Sequence, residues 1–256
     1  MLKGIIFDMD GVLINSEPFH FQVWKETLKR RGIHIEYDIY KLCIGSTISF
    51  LMNLLHEHYG ISRNDESLIK EMKEIKEEMI EKQGYPPLIP HVKNFLHRLS
   101  ESGYDMAVAS SSPLEYIEAV TSHWGIRKYF RHLVSGESVK NPKPAPDVFM
   151  KTADFMGIAP KECLVVEDSQ NGCKAAKAAD MTCMAFYNPD SGKQDLSLAS
   201  VVVEGFEEID KSFVEKIYCH SRHIPALVCE TPRLLIREMK KEDIPRLMEI
   251  CADRKS

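Results

Sequence analysis

The sequence predicts an α/β fold, a doubly wound parallel sheet with an all-helical module inserted after its first strand. Three observations carry this. Short apolar runs rich in β-branched residues recur along the chain and are closed by polar residues, the mark of buried strands. Segments of helical period separate them, and strands that alternate with helices build a parallel sheet covered on both faces. Residues 16–85 break the alternation, with helices and almost no strand.

The first strand is read at 2–7, ending at Asp8. Further strands are read at 105–109, 163–166, 182–186 and 200–203, with a weaker one at 132–135. Val92, Phe95, Leu96 and Leu99 recur at i, i+3, i+4 and i+7, one face of a helix. Helices are also read at 113–124, 146–156, 171–179 and 207–218, and Pro113 and Pro146 sit where a first turn tolerates proline. In the insertion, Ser16, Glu17 and Pro18 read as a cap and first turn, and Phe19, Val23, Trp24 and Leu28 mark an apolar face. Residues 46–58 and 64–82 are further helices. The charged run 70–82 reads as a solvated face with i,i+4 pairs. A polar linker follows, then one strand over 230–237 and a helix over 241–251, too little to bury a core of their own. The expected division is 1–14 with 86–218 for the sheet domain, 15–85 for the helical module, 219–229 for the linker and 230–256 for the terminal strand and helix.

Composition narrows the function classes. The chain has 256 residues, 44% of them hydrophobic, enough for a sizeable core. Its net charge is -5 and no basic stripe carries interleaved aromatics, so no nucleic-acid partner is expected. The seven cysteines include no CxxC pair, and reduced, buried thiols are expected rather than a disulfide framework or zinc site. The apolar run before Asp8 is too short for a secretory leader, and no run approaches a membrane span. A monomer in the cytoplasm, without membrane partners, is the expectation.

Four segments lie at the C-terminal ends of predicted strands, where ligands bind in open α/β sheets. Asp8 and Asp10 enter a turn that Gly11 permits: one carboxylate can attack and the other can move a proton. A calcium loop is excluded, because Val12 and Leu13 stand where it needs an oxygen ligand and a glycine. Ser110, in the run Ser110-Ser111-Ser112-Pro113, offers a hydroxyl beside amides that open a helix, suited to a phosphate oxygen or to ordinary helix capping. Lys143 sits between Pro142 and Pro144 on a stiff loop, either a fixed cation for a phosphoryl group or a solvated lysine. Glu167 and Asp168 follow a buried strand, either a hard-cation site or an acidic helix cap.

Taken in that order, Asp8-x-Asp10, Ser110, Lys143 and Glu167-Asp168 resemble the four motifs of the haloacid dehalogenase (HAD) superfamily, over about residues 1–218. The resemblance implies a Rossmann-like core with a helical cap domain, and a phosphohydrolase. Asp8 would attack phosphorus and form an aspartyl-phosphate. Asp10 would protonate the leaving oxygen and then activate water. Mg²⁺ would be held by Asp8, the Asp10 carbonyl and Asp168, with Glu167 behind them or bound through water. Ser110, the Ser111 amide and Lys143 would hold the phosphoryl oxygens. The helical insertion and the run from Asp8 to Pro18 resemble the branch of β-phosphoglucomutase and sugar phosphatases, which implies a small phosphorylated metabolite as substrate. His20 and Gly45 are the substrate or cap positions that this resemblance implies: His20 falls where the mutase carries a cap-hinge histidine, which favours a mutase, with a surface helix position as its alternative. A mutase would carry an arginine shortly after Gly45; here Ser46-Thr47-Ile48-Ser49 follow, which favours a phosphatase over a mutase. A non-catalytic binding module is the third reading, and the presence of both Asp10 and Asp168 argues against it. The tail from Thr231 to Arg237 with Lys241-Glu242-Asp243 resembles the opening of a GNAT-type acetyltransferase, without that family's cofactor loop. It reads either as the cut end of a longer two-domain chain or as an ordinary C-terminal extension.

Overall fold

A computed structural model describes residues 1–44, 48–223, 227–231 and 234–237. Six strands, β1 (Gly4–Phe7), β2 (Asp105–Ser110), β3 (His132–Ser135), β4 (Cys163–Glu167), β5 (Thr182–Phe186) and β6 (Val201–Val203), form one sheet in the order β3-β2-β1-β4-β5-β6. Every pairing in it is parallel. The order reverses at β1, so β2 and β4 flank it and all three C-terminal tips open on one crevice.

Nine helices are described: α1 (Glu17–Arg30), α2 (Tyr37–Tyr40), α3 (Ile48–Tyr59), α4 (Glu66–Gln83), α5 (Val92–Glu101), α6 (Leu114–His123), α7 (Asp147–Met156), α8 (Gln170–Ala178) and α9 (Lys211–Ser221). Successive strand residues point to opposite faces, so two cores result. Ile5, Phe7, Val108, Leu164 and Val166 join Phe95, Ile117 and Val214 on one face. Ile6, Ala107, Ala109, Val165 and Ala185 join Phe149, Ala153, Cys173, Ala175 and Ala176 on the other. The second face is dominated by small side chains, which lets α7 and α8 lie close to the sheet. Cys163, Cys173 and Cys183 are buried free thiols. Among the described residues no helix is long and apolar enough to cross a membrane.

The cap has its own core. Trp24, Leu28, Leu51, Leu55 and Leu68 pack together, and Phe19 and Val23 of α1 meet Ile75 of α4. Asp65 caps α4 by accepting from the Leu68 amide at 3.0 Å. The two chain crossings between cap and sheet domain run side by side: the Asn15 amide donates to Pro87 O at 2.8 Å and the Ile89 amide to Leu13 O at 3.0 Å.

Two parts differ from the sequence reading. Helix α9 continues to Ser221, into the stretch read as linker, because its end is held: Ser221 Oγ lies 2.7 Å from Thr182 Oγ1 and Arg222 Nη1 donates to Asp180 at 2.7 Å. The tail is not one strand but an antiparallel hairpin, β7 (Leu227–Thr231) with β8 (Leu234–Arg237), in which Thr231 pairs with Leu234. Pro232 between them has no amide to extend a ladder. The helix expected at 241–251 lies outside the described residues.

Candidate active site

The tips of β1, β2 and β4 bring five of the sequence-predicted residues together. Asp8 follows β1 and its amide donates to Val166 O at 2.9 Å, which locks the tip of β1 to that of β4. Lys143 reaches in from its proline-flanked loop. Its Nζ donates to Asp8 Oδ1 at 2.5 Å, to Glu167 Oε1 at 2.7 Å and to the Ala109 carbonyl at 3.3 Å, and it lies 4.7 Å from the Phe149 ring centre. The ammonium is thus enclosed and bridges two acids. Glu167 Oε2 accepts from the amides of Asp168 and Ser169 and from the Ser169 hydroxyl, each at 2.9 Å. Its carboxylate is fully occupied by Lys143 and the start of α8. A Cβ on Gly172 would run into that carboxylate, so glycine is required there.

Asp10 sits at the mouth, one turn beyond Asp8. Its Oδ2 accepts from Ser112 Oγ at 2.8 Å and lies 3.3 Å from Ser110 Oγ. Its Oδ1 is buried without a hydrogen-bond partner, and His20 Nε2 stands 4.0 Å away. His20 therefore faces the site rather than solvent. Ser111 is exposed at the strand tip, and Gly45 lies outside the described residues.

Three residues that the sequence does not single out stand at the mouth of the site. Ser112, within the serine run, supplies the hydroxyl that meets Asp10. Glu17, at the helix start, is half-buried beside it. Lys76 departs from the solvated face expected for 70–82: its ammonium lies 3.6 Å from the Tyr116 ring centre and in the field of Asp10 and His20. A lone Met72-Ile75-Met79 seam on one side of α4 was the available signal that this helix packs inward.

The electrostatics follow from crowding acids in a buried crevice. Burial pushes the Asp8 carboxyl up to about 8; Lys143 opposes this, while Glu167 and Asp10 add to it. Burial, with Glu167 and Asp8, also raises Asp168 well above the ordinary carboxylate range. Burial works to raise Asp10 too, but His20, Lys76 and the Ser112 hydroxyl outweigh it and hold it below its usual value. Burial pushes the His20 imidazole down to about 4, against the pull of Asp10. The Lys143 ammonium is held above its ordinary value: burial disfavours it, and Asp8 and Glu167 more than compensate.

Asp8, Asp10, Glu167 and Asp168 thus set four acids against one enclosed ammonium, and two of the four are pushed toward protonation. A hard divalent cation relieves that condition. Gly11 has φ +81, and a Cβ there would run into the Asp168 carboxylate, so only glycine lets the Asp10 turn lie against that acid. Among the described residues no three His, Cys, Asp or Glu side chains converge as a ligand set. Two carboxylates, a backbone carbonyl and waters make a Mg²⁺ site without such a trio.

Glu17 gives a pH prediction. Burial and the Asp10 charge raise its carboxyl to about 7, against a hydrogen bond from Tyr40. A carboxyl whose folded pKa exceeds its unfolded one contributes stability that is full at low pH and is lost as pH rises from the unfolded value through the folded one. Glu17→Gln is therefore expected to gain melting temperature relative to the native protein between about pH 5 and about pH 8, most steeply at about pH 6, midway between the unfolded and folded values, and to level off above about pH 7. Melting curves of both proteins across that range check it; a constant difference contradicts it.

A model of the haloacid dehalogenase-like hydrolase family matches residues 5–186. Fructose-1-phosphate phosphatase YqaB of Escherichia coli (strain K12) is 35% identical over 181 residues, covering 70% of this chain and 93% of that protein. Hexitol phosphatase B of Escherichia coli O157:H7 is 30% identical over 215 residues, covering 81% of this chain and 94% of its own length. The crystal structure of β-phosphoglucomutase from Clostridium difficile shares the fold, with a TM-score of 0.71 at 22% identity over 85% of this chain and 97% of that one. The strand-tip acids, the bridging lysine and the family match agree: the chain belongs to the haloacid dehalogenase-like hydrolase family and is a phosphohydrolase.

Proposed function

We propose that the chain is a Mg²⁺-dependent phosphatase that hydrolyses a small sugar phosphate through an aspartyl-phosphate on Asp8. The observation that carries this is the Asp8–Lys143–Glu167 bridge at the crevice. An anionic nucleophile has to approach an anionic phosphoryl group, and two unit charges about 4 Å apart repel by about 4 kcal/mol at an effective dielectric of about 20. Lys143 cancels part of that repulsion, and Glu167 holds Lys143 where it does so. Bound at Asp8, the Asp10 carbonyl and Asp168, Mg²⁺ would supply the remaining positive charge and keep Asp8 ionised.

Asp8 attacks phosphorus and the ester oxygen leaves. Asp10 gives that oxygen a proton and later takes one from water, which cleaves the aspartyl-phosphate. The free site holds Asp10 ionised, so the substrate itself has to raise its proton affinity. An arriving phosphoryl dianion beside the partnerless Asp10 Oδ1 does this by like-charge repulsion. Ser110 and Lys143 would hold the phosphoryl oxygens, helped by the Ser111 amide. Lys76 and His20 approach Asp10 from the cap, so cap placement and proton transfer are linked. Two relatives act by their names on fructose 1-phosphate and hexitol phosphates, which supports a phosphorylated sugar or polyol as substrate here.

The test is a panel of hexose, hexitol and pentose phosphates assayed for phosphate release with and without Mg²⁺. Release that requires Mg²⁺ is expected for at least one member, and failure across the panel contradicts the reading. The approach of His20 to Asp10 also suits a mutase. Incubation with β-glucose 1-phosphate separates the two: free phosphate supports the phosphatase, and glucose 6-phosphate without free phosphate supports the mutase.

A further inference from the structure

After β5 the chain passes through residues 187–194, a segment outside all four strand-tip motifs. Its sequence, Asn188-Pro189-Asp190-Ser191-Gly192, organises itself: Asn188 Oδ1 accepts from the Asp190 amide at 2.9 Å and closes a short turn. A solvated loop needs nothing more. Here Asn188 and Ser191 are buried, at 4% and 2% exposure, and their side chains reach elsewhere.

Ser191 donates its hydroxyl to Asp168 Oδ2. Asn188 Nδ2 donates to the Gly11 carbonyl at 3.0 Å, in the turn that carries Asp10. Asn15, at the crossing into the cap, donates to Asp190 Oδ2 at 2.7 Å. Gln194 Oε1 accepts from the Gln170 amide at 3.0 Å, at the start of α8. Gln194 Nε2 is shared between the Ser191 carbonyl, 2.9 Å away, and the Ile44 carbonyl of the cap, 3.3 Å away. One short segment therefore grips one of the three metal donors assigned above, Asp168, the residue next to a second, Gly11, and also a carbonyl of the cap.

The physical consequence is orientational. A carboxylate on a short side chain turns freely unless an oxygen is engaged. With Oδ2 bound to Ser191 and packed against Gly11, Asp168 presents Oδ1 to a ligand. Groups that orient metal ligands fix how those ligands meet the ion, and their loss costs roughly ten- to a hundred-fold in metal affinity. Because Gln194 binds Ser191 and the cap with one amide group, movement of the cap loop at Ile44 is transmitted to the residue that holds Asp168.

We propose that residues 188–194 form a positioning loop, in which Ser191 sets the Asp168 carboxylate for a divalent cation, Asn188 sets the Gly11 turn, and Gln194 ties both to the seat of the cap. This rests on the metal-dependent reading under Proposed function. Ser191 is a positioning residue and makes no contact with substrate in this account.

The test is calorimetric titration of the full chain with Mg²⁺ alone, beside Mg²⁺-dependent turnover of whichever sugar phosphate is hydrolysed. Ser191→Ala is expected to bind Mg²⁺ about ten-fold or more weakly. The Mg²⁺ concentration for half-maximal rate should rise by the same factor, with kcat at saturating Mg²⁺ largely kept. Gln194→Ala, at a partly exposed position, is expected to weaken Mg²⁺ binding in the same direction and to raise KM. Lys193→Ala, exposed on the same loop, should match the native protein. Unchanged Mg²⁺ affinity in a folded Ser191→Ala protein overturns the proposal. Should Ser191→Ala not fold, unchanged affinity and KM in Gln194→Ala overturn it instead. A native protein that neither binds Mg²⁺ nor releases phosphate sinks the functional reading, whereas native binding with unaltered variants sinks the loop alone.

Discussion

Asp8→Asn is expected to abolish turnover of any phosphate ester the native protein hydrolyses, by on the order of 10⁴- to 10⁶-fold, the scale of losing a covalent nucleophile. The protein should stay folded. Burial already pushes the Asp8 carboxyl up to about 8, so the native side chain gains little from its charge in the absence of a bound cation. Asparagine keeps the shape and an oxygen to accept from Lys143, and Lys143 retains its bond to Glu167. Loss of activity together with an unchanged or slightly higher melting temperature is the expected pair of results. Steady-state turnover and melting curves on one preparation check both. Residual activity within about ten-fold of native would remove Asp8 from the nucleophile's role.

Lys143→Met carries the second large effect, and here stability falls along with activity. Lys143 is 7% exposed at its side chain, and the carboxylates it bridges, on Asp8 and Glu167, are 9% and 1% exposed. Removing one partner of a buried ion pair costs about 3–5 kcal/mol, because the remaining charge keeps its desolvation penalty and loses its counter-charge. Methionine preserves most of the aliphatic packing over Phe149, so the change isolates the charge. The stranded acids can escape by taking up protons. The stability deficit should therefore be largest at neutral pH and shrink in mild acid. Denaturant midpoints at about pH 7 and about pH 5 test this, and a deficit independent of pH would mean the loss is one of packing.

Much of this site was readable before any coordinates, for a physical reason. A buried parallel strand is a short unbroken apolar run, and its polar terminus marks the crevice. Asp8, Ser110, Glu167 and Asp168 each announce themselves by ending such a run. Lys143 is marked instead by Pro142 and Pro144, which fix a loop that no periodicity describes. Lys76 was illegible because α4 is charged on most of its circumference, and which of its lysines turns inward depends on how the cap sits over Tyr116. Ser191 and Gln194 were illegible for a similar reason. Their partners, Asp168 and Ile44, are 23 and 150 residues away in sequence. The tail shows the opposite failure: 230–237 has strand composition throughout, and local propensity does not show that it holds parts of two paired strands, β7 and β8.

On this mechanism the phosphoryl group passes through Asp8. Quenching the enzyme with acid during turnover of a sugar phosphate, reducing it with borohydride and mapping the peptides by mass spectrometry tests this most directly. Borohydride converts an aspartyl-phosphate to homoserine, so conversion at Asp8 is the result this account requires. Release of phosphate with Asp8 unmodified, or with the phosphoryl group captured on another residue, would contradict it.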